Sequence, residues 1–320
     1  MLKIGVYKMK VLITGGAGFI GSHVVRCLLL HGYEVIVVDN LTTGRKENLP
    51  TGVDLIKMDI LDSQFISLVE QHNIDSIVHL AAQTLVDYSL KNPINDADQN
   101  IMGTIQVLEA ARMGNVRRVI FSSTAAVYGD VSDTSLLPLK EDNVLAPTSF
   151  YGLSKLTVER YLKLYQKNYG LEYAILRFAN VYGERQGLGG EGGVISIFLK
   201  KIAEGKTITI FGDGNQTRDF IYAGDIANGI LAALETANAN ITCNLSTQLE
   251  TSLNDLINTL EYVTGNKLGV EYCARRSGDI YRSSLSNGSA KRLLGWEPII
   301  SLENGLELCY NFIKKEINVL

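Results

Sequence analysis

The sequence predicts an α/β fold, a doubly wound parallel sheet joined to a smaller, discontinuous α/β domain. Three observations predict it. Short runs of β-branched and aliphatic residues, apolar throughout, alternate with longer amphipathic stretches over the first half of the chain, as in strands buried on both faces between helices. The first such run breaks at Gly15 into a glycine-rich turn that opens a helix. Glycine is abundant at 30 of 320 residues and proline scarce at 5, which suits tight strand-to-helix turns and few stiff linkers.

Met9 opens the first strong strand, and residues 1–8 read as an upstream extension, too short and too mixed for a signal peptide. Lys10–Thr14 reads as a strand, Gly21–His31 as a helix and Glu34–Asp39 as the next strand. Leu55–Met58 and Ser76–Ala81 follow as short strands. Asp96–Met113 reads as helical, with Ile101, Ile105 and Leu108 at helical spacing. Arg117–Ser123 is a strand, Thr148–Tyr169 a long helix and Glu172–Phe178 a further strand. After Phe178 the pattern loosens, and Gly187–Gly193 holds five glycines in seven residues. Helices are expected at Val194–Glu204, Asp225–Thr236, Leu253–Thr264, Ser289–Leu294 and Glu303–Lys315, with strands at Thr207–Phe211 and Ile241–Leu245. The expected division is 9–180 for the first domain and 181–320 mainly for the second, with segments near 220–247 returning to the first.

Composition narrows the function. Hydrophobic residues make up 46% and charged residues 20%, and 30 basic against 34 acidic residues leave a net charge of −4. No basic block marks a nucleic-acid surface, and no apolar run reaches the roughly 18–20 residues of a membrane span. Cys27, Cys243, Cys273 and Cys309 are scattered, without metal-ligand or disulfide spacing. They read as reduced packing residues of a cytoplasmic protein. His23, His31, His72 and His79 lack metal-spaced partners and read as packed or hydrogen-bonded side chains. No metal is expected.

The turn after the first strand is Gly15-Gly16-Ala17-Gly18-Phe19-Ile20-Gly21. Its glycines permit a tight turn and close approach of backbone to a diphosphate, and the helix N-terminus supplies free N–H groups and partial positive charge. Asp39 ends the next strand 18 residues after Gly21. An acid there accepts hydrogen bonds from a ribose 2′-OH and repels a 2′-phosphate. The combination is a dinucleotide site of the Rossmann type that selects NAD. Arg45 is near enough in sequence to serve a 2′-phosphate, so NADP stays open as the alternative.

Tyr151 and Lys155 are four apart in the long helix and share one face. The strand ending Ser122-Ser123-Thr124 delivers hydroxyls to the carboxyl edge of the sheet, where such folds bind ligands. A tyrosine needs about three pKa units, roughly 4 kcal/mol, to act as a base near neutrality. A nearby ammonium and a cationic nicotinamide ring supply that kind of preference for phenolate. Lys155 would also hold the nicotinamide ribose, and Thr124 would hydrogen-bond a sugar hydroxyl and its proton.

On these residues, and over residues 9–298, the chain resembles the extended short-chain dehydrogenase/reductase family. Within it the chain is most similar to NAD-dependent nucleotide-sugar 4-epimerases of the UDP-glucose/UDP-N-acetylglucosamine type. The stretches Val38–Gly44, His79–Gln83, Arg177–Gly183, Phe211–Phe220 and Arg276–Asp279 carry that likeness.

The resemblance implies a cofactor set of Gly15, Gly18, Phe19, Ile20 and Gly21, with Asp39 and Asn40 on the adenosine ribose and Asp59 and Ile60 at the adenine. Leu80, Ala81 and Ala82 would line the cleft, Asn100 support the active-site backbone, and Ser122, Phe178, Tyr151 and Lys155 complete the set. For a UDP-sugar it implies Asn180, Arg218 and Arg276 on the diphosphate, where forked guanidinium groups suit phosphate oxygens. Asp279 would hold the uridine ribose, and Val194, Thr209 and Phe211 the uracil. Thr124 departs from the serine common in epimerases but keeps the hydroxyl. Ser283 stands where some members carry a bulky tyrosine, and implies room for an N-acetyl group. A homodimer through the helices Asp96–Met113 and Thr148–Tyr169 is also implied.

The expected activity is 4-epimerisation of a UDP-sugar through a 4-keto intermediate, with NAD regenerated. Dehydratases of the family carry an Asp-Glu pair after the threonine, whereas here Ala125 and Ala126 follow Thr124, which speaks against 4,6-dehydration. Uronate epimerase, decarboxylase and reductase activities on the same scaffold are the alternatives, and a non-catalytic NAD sensor is the remote one.

Overall fold

The computed structural model describes residues 9–131, 133–187, 192–275 and 280–318. Its first lobe is built in chain order from β1 (Lys10–Thr14), α1 (Phe19–Leu30), β2 (Glu34–Asp39), β3 (Asp54–Lys57), α2 (Phe65–His72) and β4 (Ser76–His79). There follow α3 (Val86–Lys91), α4 (Pro93–Ala97), a π-turn (Asp98–Met102), α5 (Gly103–Met113), β5 (Arg118–Thr124), α6 (Phe150–Tyr169) and β6 (Glu172–Phe178). The remaining elements are β7 (Asn180–Tyr182), α7 (Val194–Ala203), β8 (Ile208–Phe211), β9 (Thr217–Arg218), β10 (Phe220–Tyr222), α8 (Ala223–Glu235) and β11 (Ile241–Leu245). Last come β12 (Thr251–Ser252), α9 (Leu253–Thr264), β13 (Val270–Cys273), α10 (Gly288–Leu294) and α11 (Leu302–Asn318).

Seven parallel strands form the main sheet in the order β11-β6-β5-β4-β1-β2-β3. Alternation along β1 explains why both faces are covered. Val11 and Ile13 join the core made with Val24, Val25, Leu28, Ile226 and Ile230 of α1 and α8. Leu12 turns the other way, toward Phe65, Leu68, Val107, Leu108, Val158 and Leu162 of α2, α5 and α6. Strands apolar on both sides are the direct consequence. A third core of Ile195, Phe198, Leu199, Ile208, Ile210, Leu256, Ile257 and Leu306 holds the smaller lobe together. That lobe contains the small two-stranded sheets β8/β13 and β9/β12, while β7 pairs with β10.

One sequence expectation holds with an added detail and one is corrected. Asp96–Met113 is helical throughout, as expected, with a π-turn at Asp98–Met102 between α4 and α5. The cysteines are not all packing residues: Cys243 and Cys309 are buried, but Cys27 is half-buried and Cys273 lies exposed on β13. No described helix is long and apolar enough to cross a membrane.

Candidate active site

The chain winds outward from β1 in both directions, through β2 and β3 on one side and β4, β5 and β6 on the other. The crevice at the carboxyl ends of β1 and β4 is therefore the topological switch point where ligands bind. Gly15 sits in its floor with φ +69°, and a Cβ there would lie 2.7 Å from the Ala81 nitrogen. Gly21 is tighter still, since a Cβ would stand 2.2 Å from the Gly15 carbonyl oxygen. Gly18 is the N-cap of α1, no side chain caps it, and no acid lies in the first turn. The N–H groups of Phe19, Ile20 and Gly21 precede the first intrahelical bond, Ser22 N to Gly18 O at 3.1 Å. They form an anion cradle that fits a dinucleotide diphosphate.

Asp39, only 7% exposed at the end of β2, anchors one wall. Its carboxylate accepts from Ala17 N at 2.9 Å and from Leu41 N at 2.8 Å. Burial pushes this carboxyl up, while the two backbone N–H groups pull it down. Leu41 takes φ +61° in the turn that follows. Asn40 Nδ2 donates to Asp59 Oδ2 at 2.9 Å, so Asn40, Asp59 and Ile60 lie together beyond Asp39. The Ile60 side chain is buried against Gly103, where a Cβ would meet its Cδ1 at 2.7 Å.

The half-buried Leu80, Ala81 and Ala82 form the opposite wall. They are set by a directional chain of hydrogen bonds. Thr104 Oγ1 donates to Asn100 O at 2.6 Å, so it accepts from His79 Nε2 at 2.9 Å. His79 Nδ1 in turn accepts from Thr14 Oγ1 at 2.7 Å, which itself accepts from Ala81 N at 3.3 Å. Burial, with the Lys155 charge adding, pushes His79 down to about 3 and keeps it neutral. Asn100, in the π-turn, exchanges bonds with the Gln83 backbone at 2.9 and 3.0 Å and reaches Ser154 Oγ at 3.3 Å.

Tyr151 and Lys155 project from one face of α6, whose N-cap Ser149 accepts from Gly152 N at 3.1 Å. Lys155 Nζ donates to Ser122 O at 3.0 Å and stands 4.9 Å over the Phe121 ring. Ser122 Oγ donates to His79 O at 3.1 Å. Thr124, opposite Phe178 in the β5–β6 register, ends β5 and hydrogen-bonds the Tyr151 phenol. Burial pushes Tyr151 up to about 12 against that bond, and pushes Lys155 down to about 8. The phenol of the chain alone is thus raised, not lowered, because desolvation outweighs the groups that favour its anion.

The other predicted residues gather at the smaller lobe's edge. Asn180 of β7 is exposed and its N–H donates to Asp219 O at 2.9 Å, beside Arg218. Arg218, half-buried, donates from Nη1 to Thr217 O at 2.8 Å. The buried Asp219 carboxylate ties this edge to Thr247, Gln248 and Leu285. Val194, Phe211 and Ser283 are half-buried. The Thr209 hydroxyl is engaged with Glu271 at 2.7 Å and Lys201 at 2.9 Å. A cavity of about 180 Å³ next to Phe211 is lined by Gly212, Asp213, Gln216, Arg275, Ile280 and Tyr281. Arg276 and Asp279 lie outside the described residues.

Residues 11–245 match the NAD dependent epimerase/dehydratase family. The chain belongs to that family. It is an enzyme, and NAD is its cofactor. A UDP-glucose 4-epimerase of Mycolicibacterium smegmatis is 36% identical over 96% of this chain and 99% of its own. The UDP-glucose 4-epimerase of Thermotoga maritima, solved with UDP-glucose, superposes with a TM-score of 0.92 at 41% identity, covering 97% of this chain and 100% of that one. That of Thermus thermophilus, solved with NAD, gives 0.87 at 34% identity over 95% and 98%.

Sequence reasoning missed Gln83, Asp96 and Ser154, which the structure places around Asn100. The signal was present in part, because Asp96 and Asn100 are spaced i, i+4 and meet at 3.1 Å. The histidines behave as expected of packed, hydrogen-bonded side chains: His23, for one, contacts Glu184 O at 3.1 Å.

Proposed function

We propose that the chain interconverts the C4 epimers of a UDP-hexose, the UDP-glucose/UDP-galactose pair first, through a transient 4-keto sugar. Tyr151 and Lys155 on one face of α6, with Thr124 bonded to the phenol at the mouth of an anion-ready cleft, carry this reading. Bound NAD supplies the acceptor and then the donor of the C4 hydride. Tyr151 takes the O4 proton and returns it, while Thr124 holds the hydroxyl. Lys155 favours the phenolate and holds the nicotinamide ribose.

In this reading Gly15, Gly18, Phe19, Ile20 and Gly21 hold the cofactor diphosphate, Asp39 and Asn40 the adenosine ribose, and Asp59 and Ile60 the adenine. Leu80, Ala81, Ala82, Asn100, Ser122 and Phe178 shape the cleft. Asn180, Arg218 and Arg276 grip the UDP diphosphate, Asp279 the uridine ribose, and Val194, Thr209 and Phe211 the uracil. Binding energy from that remote grip retains the ketone. Ser283 leaves room for an N-acetyl group. Residues 9–180 with the returning segments hold NAD, and most of 181–320 holds the sugar nucleotide. Ala125 and Ala126 after Thr124 leave the 4,6-dehydration reading without its acids. A homodimer through α5 and α6 completes the reading.

The test is to incubate the purified protein with UDP-glucose and with UDP-N-acetylglucosamine, without added NAD, and to separate the products. Galacto isomers are expected, and their ratio reports on Ser283. Net NADH formation would move the assignment to a reductase or decarboxylase. No reaction of either sugar, even with NAD supplied, would overturn the substrate.

A further inference from the structure

Asp96 of α4 is 1% exposed, beside the Tyr151–Lys155 face. One carboxylate oxygen accepts from Gln83 Nε2 at 2.8 Å and from Asn100 Nδ2 at 3.1 Å. Both donors are neutral amides, so the charge is hydrogen-bonded without being neutralised by them. The same Asn100 nitrogen reaches Ser154 Oγ at 3.3 Å, and Ser154 donates to the Tyr151 carbonyl at 2.9 Å. The carboxylate therefore stands two hydrogen bonds from the helical turn that joins Tyr151 to Lys155. A buried carboxylate is stabilised by several N–H donors or by an opposite charge. Asp219 and Asp225 take backbone N–H groups, whereas both amide donors to Asp96 reach one oxygen. Glu159, a fully buried acid on α6, has Arg177 at 2.7 Å. For Asp96 the cation on which its charge acts is Lys155, on the face of α6 that α4 adjoins.

The charged groups on its own side are turned outward: Asp87 and Lys91 of α3 and Asp98 of the π-turn are exposed. Tyr151 and Lys155 are the titratable groups that face it from α6, and the Asp96 charge acts on both. Neutral His79 faces Lys155 from β4.

We infer that Asp96 is the buried counter-charge of the Tyr151–Lys155 pair, a positioning residue that fixes the proton affinity of both groups. The inference rests on the epimerase reading. When the O4 proton moves onto Tyr151 Oη and the hydride leaves C4, the C4–H and O4–H bonds break and C4=O forms. The phenolate and the cationic ring are discharged together, and the reverse step restores both. With Asp96 opposite Lys155, the net charge of these four groups is zero both before and after the exchange. Without it, the unbalanced ammonium holds Tyr151 as phenolate and disfavours the ketone state.

The test is Asp96→Asn, which keeps an oxygen to accept from Gln83 and Asn100 and removes the charge. Tyr151 is titrated in the NAD-loaded protein by tyrosinate absorbance, as the difference from a matching Tyr151→Phe protein. The carboxylate favours the protonated form of both groups, so its loss lowers both affinities. The Tyr151 midpoint is expected to fall by about one unit, with both limbs of the pH–rate profile displaced to lower pH. Asp96→Ser, smaller and uncharged, is expected to give the same displacement and serves if the first variant does not fold. A lower rate with an unmoved midpoint and unmoved limbs would make Asp96 a clamp for Asn100 and overturn the inference alone. Absence of any Tyr151 signal in the unsubstituted protein would overturn the epimerase reading and the inference with it.

Discussion

Lys155 Nζ donates to the Ser122 carbonyl oxygen at 3.0 Å, pinning α6 to the end of β5. The bond orients the ammonium, and burial pushes it down to about 8. The ammonium is the form that favours phenolate, so activity is expected to decline as pH rises through about 8. Lys155→Met is expected to lower kcat by about 10²-fold or more, measured by product separation. Stability carries the opposite sign. Between about 8 and the ordinary lysine value of 10.5 the unfolded chain binds the proton that the folded one has released. Unfolding free energy therefore rises with pH across that window, and the Lys155→Met protein should show a flatter Tm against pH.

Asp39 does two things at once, and substitution separates them. Its carboxylate holds Ala17 and Leu41 by their N–H groups, which shapes the glycine turn, and its charge opposes a 2′-phosphate. Asp39→Asn keeps one acceptor and loses the charge, so NAD affinity should fall by about tenfold while NADP affinity rises. Asp39→Ala strands the buried Ala17 donor, at about 1–3 kcal/mol, and the half-buried Leu41 donor at less, and should also lower Tm. Calorimetric titration of the stripped protein with each dinucleotide checks both.

Legibility in the sequence followed burial. Glu34–Asp39, Glu172–Phe178 and Ile241–Leu245 were readable to the residue because β-branched, aliphatic and aromatic residues cluster in them and the parallel sheet buries almost every position. Val270–Cys273 was not, since three of its four residues are exposed and its pairing with β8 is set by tertiary structure. Phe65–His72 was also missed, as a short helix whose apolar face is seen only against α5. Tyr151 and Lys155 were legible because a fixed spacing puts them on one face. Asp96 was not: a carboxylate near a helix start reads as a solvated charge, and only the meeting of Gln83, Asn100 and α6 buries it.

Glu159 lies one turn beyond Lys155 and takes Arg177 in a forked pair at 2.9 and 2.7 Å, with Ser123 donating at 2.6 Å. Arg177 continues to Tyr128 Oη at 2.9 Å, and Tyr128 to Asn244 at 2.8 Å. Both charges are almost fully buried. Removing one leaves the other uncompensated, at about 3–5 kcal/mol. Glu159→Gln should therefore lower the urea midpoint strongly. The pair Glu159→Met/Arg177→Met should recover much of the loss, because two apolar groups leave no orphan charge.

Phe150, Leu153 and Leu164 of α6 stay 44%, 48% and 53% exposed. Met102 and Met113, flanking α5, stay 52% and 44% exposed. Leu153 and Leu164 lie on the face of α6 opposite the buried Val158 and Leu162, with Phe150 on the flank and Thr157 and Arg160 between them, and this is the face the proposed homodimer would cover. A second copy burying it would hold α6, and with it Tyr151 and Lys155, from the outside. If the proposed dimer forms here, Leu153→Glu with Leu164→Glu places like charges across a two-fold interface and should yield a monomer by sedimentation velocity. Activity should fall with dissociation, because α6 then loses its outer support. A protein that is monomeric before substitution, or one that stays dimeric after it, would remove α6 from the interface.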